Sequence, residues 1–204
     1  VLSKSDAWAS GWATKRTGEI EYFVLRWNGT QWKTISTAKD HSWGAIWASG
    51  KQDAWSLGLP GTIYHWDGTS WASTGSGTTE YLRGIWGLSA TDVWAVGDNG
   101  VIVHWNGSTW TQTPTGERAM LSAIWAASPR DVWAVGAAGT LLHFDGTAWR
   151  SASSGTSQRL VAISGSAGDD VWAVGSAGVV LHWDGTRWSQ HGGIVPDGLA
   201  VDTN

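Results

Sequence analysis

The sequence predicts an all-β chain folded as one five-bladed β-propeller, with four antiparallel strands per blade, and three observations predict it. A single motif recurs five times along the 204 residues, its turns carry Asn-Gly or Asp-Gly at fixed places, and one lap of the chain holds a whole number of periods. The clearest copy runs from Asp92 to Trp110, through Trp94, His104 and Trp105. Asp131 to Trp149 and Asp170 to Trp188 repeat it closely, Asp53 to Trp71 more loosely, and Asp6 to Trp32 with an insertion. A fixed period of this length marks a repeat architecture and decides the fold.

The spacing is regular. The penultimate aromatic falls at Trp27, Trp66, Trp105, Phe144 and Trp183, and the closing one at Trp32, Trp71, Trp110, Trp149 and Trp188, always 39 residues apart. From Asp170 round through the C-terminus to Asp6 is a further period of 40, as a closed ring requires, whereas an open solenoid would show atypical capping repeats.

Each period reads as four short strands, here Leu82–Gly87, Asp92–Val96, Val101–Trp105 and Ser108 to about Thr113. Asn99-Gly100 and Asn106-Gly107 signal two-residue hairpins, whose central residues both need φ > 0. Four strands in about 40 residues is a propeller blade. The chain is then one domain, residues 1–204, with blades at 1–37 completed by 197–204, then 38–77, 78–116, 117–155 and 156–196. The N-terminal copy lacks an innermost strand, and Gly198–Asp202 sits where that strand would fall one lap later. The C-terminus is therefore expected to close the ring and cover its open edges.

Composition narrows the function classes. A net charge of −4 argues against nucleic acid, for which a basic stripe is expected. No apolar run approaches the roughly 18–20 residues that span a bilayer. Without cysteine there is neither a disulfide nor a Cys-based metal site. The absence of an initiator Met and of a signal-like start suits a processed chain or a piece of something longer.

Nineteen tryptophans are the outlier. Three repeat in the first strand, five in the second, four in the third and five at the start of the fourth. Each buries about 150–250 Å², worth at most about 4–6 kcal/mol at roughly 25 cal/mol per Å². Packing between blades accounts for them, with Ala95, Ala134 and Ala173 as the small partners of Trp94, Trp133 and Trp172. Trp12 and Trp43 fall outside the repeat positions. Trp12 lies in eight extra residues between second and third strands of the first blade. Trp43 stands where Leu82, Leu121 and Leu160 enter the innermost strand, preceded by Asp40 and His41. Strand alternation sends the Trp12 insertion and the variable inter-blade loops to one face, where a binding surface is expected because loops on a rigid scaffold carry function.

His65, His104, His143 and His182 lie on different blades and cannot converge on one ion. They are read as making local hydrogen bonds that tie the third strand to an adjacent blade, not as metal ligands. Pairing about Asp98-Asn99 sets Asp92 opposite Trp105, where its carboxylate accepts a turn or indole N–H. Asp92, Trp94, His104, Trp105 and Trp110 are accordingly structural repeat residues. Asn28-Gly29-Thr30 and Asn106-Gly107-Ser108 fit a glycosylation pattern, yet Asp replaces Asn at the same turn elsewhere, so the hairpin explains them. No carboxylate sits mid-way along an innermost strand, and no nucleophile elbow, phosphate loop or His/Cys cluster occurs. No catalytic residue, metal or cofactor is expected.

The motif Asp-Val-Trp-Ala-Val-Gly-x-x-Gly-x-x-x-His-Trp-Asp-Gly-Thr-x-Trp resembles the tandem Trp-rich propeller repeats of bacterial secreted and surface proteins, many of them myxobacterial. In blade number and Trp content the chain is also similar to five-bladed lectins of the tachylectin-2 and tectonin type. The first resemblance implies a propeller and a secreted or cell-surface location. The second implies a sugar-binding, lectin-like module, although that family's sugar-binding residues find no position-by-position match. Multivalent glycan binding is thus one expectation, with Trp12, Trp43, Trp47, Trp86 and Trp125 as candidate ligand residues. A protein-interaction or structural propeller of a larger surface protein is the other, alongside a duplication-derived propeller with no specific ligand.

Overall fold

The computed structural model describes residues 4–38 and 43–191. The strands form five antiparallel sheets in chain order. The first contains β1 (Ala7–Thr14), β2 (Ile20–Trp27) and β3 (Trp32–Ala38). The second contains β4 (Ile46–Gly50), β5 (Asp53–Leu57), β6 (Thr62–Trp66) and β7 (Trp71–Gly75). The third contains β8 (Leu82–Ser89), β9 (Asp92–Gly97), β10 (Ile102–Trp105) and β11 (Trp110–Gln112). The fourth contains β12 (Leu121–Ser128), β13 (Asp131–Gly136), β14 (Leu141–Phe144) and β15 (Trp149–Ser151). The fifth contains β16 (Leu160–Ala167), β17 (Asp170–Gly175), β18 (Val180–Trp183) and β19 (Trp188–His191).

Four sheets thus show the expected four-strand order, and the first begins at the second-strand position. The proposed closing strand Gly198–Asp202, together with Ser3, Asp40, His41 and Asp197, lies outside the described residues. By contact the chain forms two compact units. One holds the described residues up to Ala95 with Val103–Gln112, and the other holds Val96–Ile102 and the described residues from Thr113 onward. In the first unit β4 packs beside β8, and in the second β12 packs beside β16.

The two hairpin turns of each sheet use different physics. In β9–β10 the pivot is Asn99, left-handed at φ 54°, followed by Gly100 at φ 68°, and Val101 donates its N–H to the Asp98 carbonyl. The same turn in the fourth and fifth sheets places Ala138 and Ala177 at φ 53° and 54°. Alanine pays a steric cost there that Asn largely escapes. The Asn106-Gly107 turn does not follow the expected form, since only Gly107 is left-handed. Asn106 Oδ1 instead accepts the N–H groups of Ser108 and Thr109 and the Ser108 hydroxyl. Asp67, Asp145 and Asp184 do the same, as does Asn28 with Thr30 and Gln31. The turn therefore asks for an acceptor oxygen, which explains why Asn and Asp interchange and why the fourth strand starts at Trp110.

The β9–β10 type of turn also corrects the register. In the fourth sheet Val132 pairs with Phe144 and Trp133 with His143, one residue from the pairing that would oppose the repeat Asp to the third-strand aromatic. Side chains alternate along a strand, so this shift puts Asp131, Trp133 and His143 on one face.

Ala138→Asn and Ala177→Asn should each raise stability by about 0.5–1 kcal/mol, and Asn99→Ala should lower it by a similar amount, because only the left-handed backbone cost changes. Urea midpoints at constant m-value read the effect, and no shift in either direction would count against the turn geometry.

Candidate ligand groove

The register builds one repeated polar unit. The carboxylate of the second-strand Asp meets the third-strand imidazole within the same sheet: Asp53 with His65 (2.6 Å), Asp92 with His104 (2.8 Å), Asp131 with His143 (2.7 Å) and Asp170 with His182 (2.9 Å). A carboxylate can only accept, so Nε2 carries the proton in each pair. The histidines therefore brace their own sheet and do not reach an adjacent one. Each imidazole also stacks on the second-strand indole, at 3.9 Å for Trp94 and His104 and 4.0 Å for Trp133 and His143. In the third and fifth sheets that indole returns the bond, Trp94 and Trp172 donating Nε1–H to Asp92 and Asp170 at 2.9 Å. The first sheet makes the substitution the repeat count could have shown. Arg26 stands at the His position, its Nε 2.9 Å from Asp6 Oδ1 and its guanidinium 5.3 Å over Trp8. Among the described residues no group of three His, Cys, Asp or Glu side chains could hold a metal ion. Nor is any helix there long and apolar enough to cross a membrane.

Third-strand tryptophans anchor the turn beside them. Trp27, Trp66, Trp105 and Trp183 donate to the carbonyls of Lys4, Lys51, Ala90 and Gly168, between 3.0 and 3.3 Å. The Phe144 side chain has no N–H to give.

The five candidate ligand tryptophans are placed very differently. Trp43 is 5 % exposed, packed on Val24 with Tyr64 at 4.8 Å and Trp71 at 5.0 Å. Trp125 is 4 % exposed, and a Cβ on Gly165 would lie 2.7 Å from its ring. Trp47 is half-buried, its ring laid on Gly87 in the same way, and Trp86 is half-buried. Burial leaves Trp43 and Trp125 no ring face for a ligand. Trp12 is 63 % exposed on the β1–β2 hairpin, which extends to a turn at Lys15–Glu19.

The inter-blade loops share a frame that their differing sequences hide. Ser76, Thr115 and Ser154, 39 residues apart, each precede a left-handed glycine. Ser76 and Thr115 donate to the carbonyls of Gly61 and Gly100 in the neighbouring hairpin turn.

A groove of about 250 Å³ opens between the fourth and fifth sheets, at the end carrying the Asn/Asp turns and not the variable loops. Arg130, Asp131, Trp133, His143 and Asp145 line one side, and Gly168, Trp183 and Gly185 the other. Trp133 is buried under His143 and under Trp183, 5.1 Å away. Trp183 is half-buried and supplies the accessible aromatic wall. Asp145 is satisfied by Thr147, Ala148 and Arg150, and the Thr147 hydroxyl and Arg150 are the main causes holding its carboxyl well below the usual range. Asp131 differs from Asp53 and Asp170. Ser49 and Ser166 donate to the second carboxylate oxygen of Asp53 and Asp170. Ala127 occupies that position in the fourth sheet, and Leu88 in the third. Among the described residues Asp131 Oδ2 receives no donor, and it faces Gly168, where a Cβ would lie 2.6 Å away. Arg130, exposed beside it, forms no ion pair among the described residues. Sequence reasoning missed this groove because it looked to the variable end. Arg130 and Gly168, at the two variable positions just before the repeat Asp, were the available signal.

No family profile matches this sequence, and no curated protein does. Solved structures do. A chain described as "Crystal structure of RRP9 WD40 repeats" aligns with a TM-score of 0.67 at 10 % identity, covering 88 % of this chain and 64 % of that one. WD40 repeats are propeller blades. The fold is a β-propeller. "YCF48 bound to D1 peptide" aligns at TM-score 0.63 and 19 % identity over 89 % of this chain and 63 % of that one. Sqt1 of Chaetomium thermophilum aligns at 0.69 and 15 % over 95 % and 56 %. This propeller thus spans less than two thirds of the length of these structures, and at such identities the likeness shows the fold alone.

Two outcomes test the repeated polar groups. The Thr186 hydroxyl, then the amides of Arg187 and Thr186, hold the Asp184 carboxyl down to about 2, and Thr69 and Ser70 do the same for Asp67. Depressed carboxyl groups stabilise the folded state above their unfolded value of 3.8 and lose that contribution as pH falls through about 2. Carboxyl-detected titration should show Asp184 with a midpoint near 2 that rises in Thr186→Ala. Separately, His104→Ala should cost about 1–3 kcal/mol, from the hydrogen bond and stacking it removes, with metal content unchanged.

Proposed function

We propose that this propeller is a binding module rather than an enzyme, and that its ligands are carbohydrates. The observation that carries the reading is the groove beside Asp131, where an indole, a guanidinium and a carboxylate oxygen without a donor among the described residues converge. A sugar ring offers an apolar face to an indole and a rim of hydroxyls to charged groups. At about 250 Å³ the groove lies just below the roughly 300–1,000 Å³ of drug-sized sites, which suits one sugar residue. The Asp and indole elements recur from blade to blade, so weaker copies of the site would add by avidity.

Protein interaction is a second reading with its own observation. Trp12 pairs with Tyr22 and Thr14 with Ile20 across the extended hairpin, placing Trp12 on one face with the exposed Ile20. The similar YCF48 structure is described with a peptide bound.

We further propose that the five blades close into a ring, residues 198–202 completing the first sheet. Trp172 is 40 % exposed and Trp32 48 %, while Trp94 and Trp133, at the repeat position of Trp172, are buried. Closure would bury apolar surface that equivalent positions already bury.

A glycan array should give repeated weak hits within one sugar class. Silence across a broad array, together with peptide binding lost in Trp12→Ala, would replace the carbohydrate reading by the second one. Truncation after Pro196 should lower the melting temperature, and an unchanged melting curve would refute closure.

A further inference from the structure

The groove between the fourth and fifth blades carries a narrower assignment, which rests on the carbohydrate reading. We propose that it is the dominant ligand site of the chain, and that it takes one neutral hexopyranose residue with two adjacent hydroxyls spanning the Arg130 guanidinium and Asp131 Oδ2.

The chemistry of the two side chains sets the ligand. A guanidinium only donates and a carboxylate only accepts, while each hydroxyl does both. A vicinal diol therefore answers both groups at once, and the hydroxyls can also bond each other. Arg130 and Asp131 cancel in charge, and Asp145 is already engaged by Arg150. An acidic sugar would face the carboxylates of Asp131 and Asp145, and an amino sugar would face Arg130. A neutral ring meets neither repulsion. Trp183, fixed by its 3.0 Å bond to the Gly168 carbonyl, supplies the wall for the ring face.

The same residues make this groove differ from its repeats. The counterparts of Gly168 are Lys4, Lys51, Ala90 and Pro129, each bearing a Cβ that Gly168 lacks. The counterparts of Arg130 are Ser5, Gln52, Thr91 and Asp169, none of them a cation. The other grooves thus lack a cation at this position, and at most bind more weakly.

Calorimetry on the full chain with the methyl pyranosides of glucose, galactose and mannose, with glucuronate and glucosamine as charged probes, tests this. A neutral pyranoside should bind with a single dominant site, and both charged probes more weakly. Arg130→Met keeps the aliphatic stem over Gly146 and should weaken binding at least about tenfold, as loss of a charged hydrogen bond does, with an unchanged melting curve. Gly168→Ala should weaken it similarly, and Gln52→Ala should leave it unchanged. Tighter binding of glucuronate or glucosamine would overturn the neutral ligand. Sugar binding that survives Arg130→Met, or that is spread equally over several sites, would overturn the groove while leaving the carbohydrate reading standing. Absence of binding by every pyranoside and by a glycan array would remove that reading, and this inference with it.

Discussion

In three sheets the second-strand indole is held between an imidazole or guanidinium of its own sheet and the aromatic pair of the next, and the packing of the sheets depends on that contact. Trp55 stacks on His65 and meets Trp105 at 5.0 Å and Trp110 at 5.4 Å. Trp133 stacks on His143 and meets Trp183 and Trp188 at 5.1 and 5.2 Å. Trp8 lies beneath Arg26 and meets Trp66 and Trp71. Indoles of this size bury large areas at low conformational cost, and tilted or edge-on approaches suit their quadrupoles. On the other face of the same strand the chain keeps buried alanines, Ala54, Ala95, Ala134 and Ala173.

The polar groups serve that packing. The repeat carboxylate orients the imidazole, the imidazole positions the indole, and the third-strand indole pins the turn that carries the carboxylate. A frame so regular has few spare groups. Function is expected where the repeat is broken, because a residue released from the frame is free to meet a ligand. The two positions before the repeat Asp vary from copy to copy, and Arg130 and Gly168, which occupy them in the fourth and fifth, line one groove.

Much of this was legible in the sequence. Strand order, the small partners of the indoles and the left-handed Asn99-Gly100 turn follow from a 39-residue period and local stereochemistry. The Asn106 turn was misjudged because two different turns use Asn-Gly: one needs left-handed backbone at Asn, the other an oxygen acceptor. Trp43 stood out as an irregular tryptophan, yet it fills core space against Tyr64 and Trp71. A break in a pattern signals a special residue without saying whether packing or binding made it special.

The sequence by itself determined the repeat, the four-strand sheet and the pairing of one Asp with one aromatic set per period, because these are local and recur at fixed spacing. Only the tertiary structure decided which face each side chain takes, since one residue of register reverses every side chain of a strand. It alone placed Asp131 Oδ2 against the bare backbone of Gly168, a neighbour 37 residues away on the next sheet. A groove is made by surfaces brought together from separate strands, and no spacing along one strand encodes the gap left between them.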